Sequence, residues 1–296
     1  MVKKEHCAVF GGSGFLGTET VRELQQSFDV TATSMRPRPS GFVSLDIRDH
    51  VALADFLNDL KPDCVAVLSA YREPDFCEDQ PEETRRLNTR PLEVMCRVLP
   101  PGVPLLLVST DYVFDGEQPP YVEDSPRNPL SEYGKSKREA EDIVLSRPGS
   151  IVLRVPLLMG WTDSAEQSGF FSQLVKDIAS DEPLALDDVL KRYPVWTRDA
   201  GAGIRRLFDK KASGVFHLST VRPLTRYQAA IEMGSLMGKS VSHISPSNKI
   251  VPRRATRPGD ARLAIGKWLE HGFPPPSEFK DVAFRFLEKF KLTARN

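Results

Sequence analysis

The chain has 296 residues, 40% of them apolar, enough to bury one large core or a main domain with a smaller appendage. Lys plus Arg and Asp plus Glu number 40 each, so no net field draws the molecule onto nucleic acid or an anionic membrane surface, and neither is expected as a partner. No window reaches the roughly 18 apolar residues of a bilayer span, and the opening Met1-Val-Lys-Lys-Glu-His runs straight into an apolar strand without a cleavable leader, which predicts a cytoplasmic protein. Cys7, Cys64, Cys77 and Cys96 show no Cys-x-x-Cys spacing and read as free thiols of a reducing compartment. The histidines, at 6, 50, 217, 243 and 271, stand singly, so no metal site is expected.

An apolar run at residues 6–11 breaks into glycines and is followed by helical periodicity over 18–27, which reads as strand, turn and helix. Further strands are expected at 30–34, 42–45, 64–69, 103–109 and 150–155, with helices at 51–60, 82–99 and 131–145. Near-continuous apolar strands alternating with helices predict a parallel sheet covered on both faces, the doubly wound α/β architecture. Ligands of such sheets sit beyond the carboxyl ends of the strands. After residue 156 the rhythm loosens, with strands expected at 183–186 and 214–218 and helices at 170–178, 225–237 and 277–290. The expected division is a Rossmann nucleotide-binding domain over 1–156 and a smaller α/β lobe over 157–296, interleaved with the last sheet strands.

Gly11-Gly12-Ser13-Gly14-Phe15-Leu16-Gly17 follows the first strand and opens the first helix, the context in which glycine spacing has a physical meaning. Gly11 permits the tight turn, Gly14 lets a diphosphate approach the backbone, and Gly17 allows close helix-to-strand packing, while the helix N-terminus adds positive potential. Ser13, Phe15 and Leu16 belong to the same candidate cradle. The end of the second strand, where nicotinamide dinucleotides are told apart, reads Thr33-Ser34-Met35-Arg36 and holds no acid. Ser34 and Arg36 therefore suit the 2′-phosphate of NADP(H) better than the bare ribose of NAD(H), although Arg36 also suits an exposed loop. Asp46, just past the third strand, completes the candidate contacts on this side.

Tyr133 and Lys137 stand at i and i+4 at the start of an expected helix and share one of its faces. A phenol near pKa 10 is a poor proton donor or acceptor at neutral pH, and a neighbouring ammonium is expected to bring it closer to the working range. Between this pair and the glycine loop lies a polar strand end, Ser109-Thr110-Asp111-Tyr112. Thr110 is placed to donate to a substrate oxygen, and Ser109 and Asp111 equally suit a cap on the following turn.

Ser-Thr-Asp-Tyr-Val-Phe-Asp-Gly from 109, Pro-Leu-Ser-Glu-Tyr-Gly-Lys-Ser-Lys from 129 and the glycine loop resemble the extended short-chain reductases of the dTDP-4-dehydrorhamnose reductase family. The likeness runs through Ala70-Tyr71-Arg72-Glu73-Pro74-Asp75, Asn88 and Arg257-Pro258-Gly259-Asp260. It implies Thr110, Tyr133 and Lys137 as a catalytic triad, Tyr112 and Arg257 as substrate contacts, and Ser69, Ala70 and Tyr71, together with Tyr133 and Lys137, as cofactor contacts. Pro119-Pro120-Tyr121 and Arg192-Tyr193-Pro194-Val195-Trp196-Thr197 look more like a second branch of that family, the regulatory β subunit of methionine adenosyltransferase. The reductases usually carry Asn where this chain has Val67 and Trp where it has Leu157. The resemblance implies an NADP(H)-dependent reductase of a keto group on a nucleotide-linked sugar or, alternatively, an NADP(H)-binding subunit docked on a partner enzyme. A homodimer is one arrangement the sequence allows.

Overall fold

The structure is a computed structural model that describes residues 4–35, 41–162, 168–180, 182–249 and 253–292. In chain order its strands are β1 (His6–Phe10), β2 (Asp29–Ser34), β3 (Phe42–Ser44), β4 (Cys64–Val67), β5 (Leu105–Thr110), β6 (Ile151–Val155), β7 (Leu158–Met159), β8 (Leu184–Asp187), β9 (Val195–Trp196), β10 (Gly214–His217) and β11 (Ile244–Ser247). The helices are α1 (Gly17–Leu24), α2 (His50–Leu60), α3 (Pro74–Asp79), α4 (Pro81–Asn88), α5 (Arg90–Val98), α6 (Glu132–Leu145), α7 (Phe170–Ala179), α8 (Thr197–Asp209), α9 (Arg226–Met237), α10 (Gly266–Glu270) and α11 (Phe279–Phe290).

Seven strands form one sheet in the order β10-β6-β5-β4-β1-β2-β3. Every pairing in it is parallel. The strands read as unbroken apolar runs because both faces are covered: Cys7 to Phe10 and Leu105 to Leu107 are almost wholly inaccessible. One face packs around Leu24, Phe28, Ile204, Leu207 and Trp268, the other around Leu53, Leu57, Leu92, Met95 and Val144. A third core, with Phe171, Leu174, Met233, Phe279 and Phe286, holds α7, α9 and α11 together in the C-terminal lobe. There β8 pairs with β11 and β7 with β9, each in a two-stranded sheet.

Local chemistry sets several boundaries. Asp49 caps α2 by accepting from the N–H groups of Val51 and Ala52. Thr225 and Gln228 form a reciprocal capping box on α9, which ends at Gly238 in the left-handed region. The single helix expected over 82–99 is two helices, α4 and α5, and the reason lies in Pro91. A proline has no N–H to donate, so the helix restarts there and Thr89 leaves helical geometry at φ −124°. Three helices had no counterpart in the sequence pattern: α3, six residues long and opened by Pro74, the five-residue α10, and α8. Gly201 and Gly203 blur the periodicity of α8, yet both serve close packing. A Cβ on Gly201 would come within 3.0 Å of the Glu19 backbone in α1, and one on Gly203 within 2.8 Å of the Trp268 ring.

Candidate active site

From β1 the chain moves outward to β2 and β3, then crosses back to β4 on the other side, so the strand order reverses beside β1. The loops diverge there and leave a crevice at the carboxyl ends. A cavity of ≈ 540 Å³ occupies it, lined by Gly11, Ser13, Gly14, Phe15, Leu16, Gly17, Asp46, Ser69, Ala70, Thr110, Tyr112, Tyr133 and Lys137 among others. Residues separated by more than a hundred positions in the chain thus share one wall. Ser34 lies just behind that wall, its hydroxyl accepting from Ser13 at 2.9 Å. Tyr71 and Arg257 are not part of the lining, and Arg36 is outside the described residues.

The glycines divide their work. Gly11 has φ +82°, and a Cβ on it would meet Ser69 Oγ at 2.6 Å. A Cβ on Gly17 would overlap the Gly11 carbonyl and the Gly12 backbone. Gly14 differs: its nearest neighbour would be the Gly11 carbonyl at 3.2 Å, and no other protein atom lies within 4 Å. Fold packing therefore requires Gly17, whereas at Gly14 the bare backbone keeps cavity space open. With the N-terminus of α1 ending on the same wall, the loop fits an anionic diphosphate.

Tyr133 is brought to the cavity by Gly134. A Cβ there would overlap the Tyr112 carbonyl and lie 2.8 Å from Pro129, so α6 presses directly on the turn after β5. The Tyr112 and Tyr133 rings consequently meet edge to face at 5.6 Å. Ser131 caps α6, accepting from Gly134 N at 3.3 Å. One turn along, Lys137 Nζ donates to the Val108 carbonyl at 2.7 Å. Thr110 Oγ1 donates to Asp111 Oδ1 at 3.1 Å and accepts from Tyr112 N at 3.2 Å.

Burial dominates the electrostatics. It pushes the Tyr133 phenol above its ordinary range, with the Thr110 hydroxyl pulling the other way. This is the reverse of the lowering expected from its lysine neighbour. Burial also lowers Lys137 to about 8 against the attraction of Glu141. Asp111 is raised to about 6 by burial, opposed by the charge of Arg192.

Beneath the site runs a buried polar chain. Ser109 donates to Glu141, which receives Arg154 Nε at 2.9 Å and Nη2 at 2.8 Å, and Arg154 Nη1 lies 3.1 Å from His217 Nε2. Asn88 fixes the loop after β4: its Oδ1 accepts from Tyr71 N at 2.8 Å, and its Nδ2 donates to the Tyr71 carbonyl and to Ser136 Oγ. Arg257 pairs with Asp75 at 2.9 Å and holds that carboxyl down at about 2. The two residues border an adjoining cleft that shares Arg72 and Pro74 with the cavity. Arg192 also lines the cavity. In the sequence it stood only inside a branch-like motif, and no spacing rule ties it to Thr110.

Residues 5–292 match the family described as RmlD substrate binding domain. The chain belongs to that family. Among its relatives, methionine adenosyltransferase 2 subunit beta of Xenopus tropicalis is 32% identical over 281 residues, 92% of this chain and 84% of the relative. dTDP-4-dehydrorhamnose reductase of Streptomyces griseus is 29% identical over 280 residues, 90% of this chain and 88% of that one. The solved dTDP-4-dehydrorhamnose reductase of Clostridium acetobutylicum superposes with a TM-score of 0.85 at 25% identity, covering 97% of this chain and 99% of that one. The Bacillus anthracis reductase, solved in complex with NADP, shares the fold at a TM-score of 0.85 and 21% identity, with the same coverage. Within this RmlD-family chain, Leu157 lines the cavity and Val67 is buried in β4. No described helix is long and apolar enough to cross a membrane.

Proposed function

We propose that the chain is an NADP(H)-dependent reductase of a keto group on a nucleotide-linked sugar. The observation that carries this reading is the convergence of Thr110, Tyr133 and Lys137 with the open face of Gly14 in one cavity. Gly11, Ser13, Gly14, Phe15, Leu16 and Gly17 would hold the dinucleotide diphosphate, Asp46 its adenosine end, and Ser69 and Ala70 the wall between. The preference for NADP(H) over NAD(H) rests on Ser34 and Arg36 and on the lack of an acid at the β2 exit. Residues 1–156 would carry the cofactor and 157–296 would cover the substrate end.

A bound reduced nicotinamide supplies the hydride. The Thr110 hydroxyl would turn its proton from Asp111 Oδ1 to the substrate carbonyl, orienting it and donating to its oxygen as negative charge grows there. Tyr133 gives its phenolic proton to that oxygen, and the Lys137 ammonium, held by the Val108 carbonyl, stabilises the phenolate left behind. Burial keeps Tyr133 protonated beforehand, the form that reduction requires. Tyr112 faces the substrate beside it, and Arg257 serves the substrate's far end from the adjoining cleft.

A second reading is favoured by the relatives named subunit beta and by Leu157 where the reductases usually carry Trp. In it the same cavity holds NADP(H) while the surface docks on a partner such as a methionine adenosyltransferase, and the triad goes unused. Calorimetric titration with NADPH and NADH, followed by absorbance at the reduced-nicotinamide band as dTDP-4-keto-6-deoxysugar is added, separates the two. Tight binding with consumption supports the reductase. Tight binding without consumption, together with co-purification of a partner, supports the subunit, and no binding overturns both.

A further inference from the structure

Three loops at the carboxyl edge of the sheet meet on one guanidinium. Arg48, two residues past Asp46, donates from Nε to Asp46 Oδ1 at 2.9 Å and from Nη2 to Asp46 Oδ2 at 2.7 Å. Its Nη1 donates to Glu83 Oε1 of α4 at 2.7 Å and to the Tyr71 hydroxyl at 3.2 Å, and Nη2 lies 3.6 Å from the Met35 sulfur at the exit of β2. Asp46 and Met35 both line the cavity, and Arg48 does not. Arg48 thus acts on the cavity only through the residues it holds.

The charge count gives this arrangement its consequence. Asp46 and Glu83 are matched by Arg48 and by Arg86, which lies 3.0 Å from Glu83. Among the described residues the cluster is neutral with Arg48 and carries a net negative charge without it. The β2 exit is where dinucleotides differ by one ribose phosphate. A bare carboxylate on that wall repels a phosphorylated dinucleotide more than an unphosphorylated one.

We propose that Arg48 is a positioning residue for cofactor choice, neutralising Asp46 at the cavity wall so that a 2′-phosphorylated dinucleotide is accepted. The inference rests on the dinucleotide reading above. It differs from a role as a plain staple of the three loops, which would weaken both dinucleotides alike.

The test is calorimetric titration of the full chain with NADPH and with NADH, in the wild type, Arg48→Leu, Asp46→Asn and the double variant. Arg48→Leu is expected to lower the NADPH-to-NADH affinity ratio about tenfold, less at high salt. Asp46→Asn in the same chain is expected to return the ratio to within about twofold of wild type, since the repelling charge is gone. Asp46→Asn alone is expected to raise the ratio, which keeps the proposal testable should Arg48→Leu fail to fold. An unchanged ratio in Arg48→Leu, or an equal loss of both ligands that Asp46→Asn does not rescue, overturns the proposal. A wild-type chain that binds neither dinucleotide overturns the underlying reading and this proposal with it, whereas binding with an unmoved ratio overturns this proposal alone.

Discussion

Tyr133 and Lys137 face the same problem from opposite sides, because burial disfavours the phenolate of one and the ammonium of the other. The helical spacing that places them together was plain in the sequence, but the direction of the tyrosine's shift was not, since desolvation depends on packing contributed from Gly134 and Tyr112. Reduction needs a neutral Tyr133 and a charged Lys137. Turnover is therefore expected to fall as pH rises through about 8, where Lys137 loses its proton, and a pH–rate profile checks this. Tyr133→Phe should lower turnover by a hundredfold or more, on the order of an acid catalyst's contribution, with dinucleotide affinity nearly unchanged. The glycines make a sharper pair. Gly17→Ala places a methyl against backbone that cannot yield, so the protein should lose several kcal/mol or fail to fold, on the order of the severe overpacking range. Gly14→Ala directs its methyl at the cavity with a single tight contact, 3.2 Å to the Gly11 carbonyl, so it should cost far less thermal stability than Gly17→Ala while NADPH affinity drops. Measuring melting temperature and affinity on both variants tests the division.

At the scale of elements, α6 and β5 are joined by Glu141, whose carboxylate is wholly buried between Ser109, Arg154 and Arg127. Replacing it leaves buried Arg154 without its counter-charge. Glu141→Ala is expected to cost about 3–5 kcal/mol in chemical denaturation, and Arg154→Met in the same chain should recover part of the loss. No spacing gave either residue a role in the sequence, where Arg154 interrupts an apolar strand and Glu141 lies within a charged stretch of helix. What could be read were elements with a simple local pattern: β1, β4, β5 and β6 emerged as apolar runs, α2 as an amphipathic helix, and α6, α7, α9 and α11 as helical stretches. Elements that depend on a partner could not be read. The two-residue strands β7 and β9 carry no periodicity of their own, and α8 trades apolar positions for glycines that make sense only against α1 and Trp268. The candidate site followed the same rule. Gly14, Thr110 and Tyr133 belonged to recognisable spacings, whereas Arg48 and Arg192 act through contacts between distant segments.

For the molecule as a whole, two buried groups at the carboxyl edge of the sheet, on strands separated by β6, give opposing responses to acid. His217, at the end of β10, is held at about 3 by burial and by the charge of Arg154, against an ordinary value of 6.5. Unfolding lets it take up a proton, so the stability it contributes is complete above about 6.5 and is lost as pH falls toward about 3. Asp111, at the end of β5, runs the other way. Its folded value of about 6 exceeds the ordinary 3.8, so the folded state holds the proton more tightly, and acidification from about 6 to about 4 favours folding. The two slopes nearly cancel over that interval, and the wild type should show a shallow dependence of its urea midpoint on pH between 6 and 4. Asp111→Asn removes one of the two. The variant should lose an additional ~2–3 kcal/mol on acidification across the same interval, the integrated value of a shift of about two units. Equal slopes in wild type and variant would mean that Asp111 titrates normally in the folded protein, and that Arg192 rather than burial sets its charge.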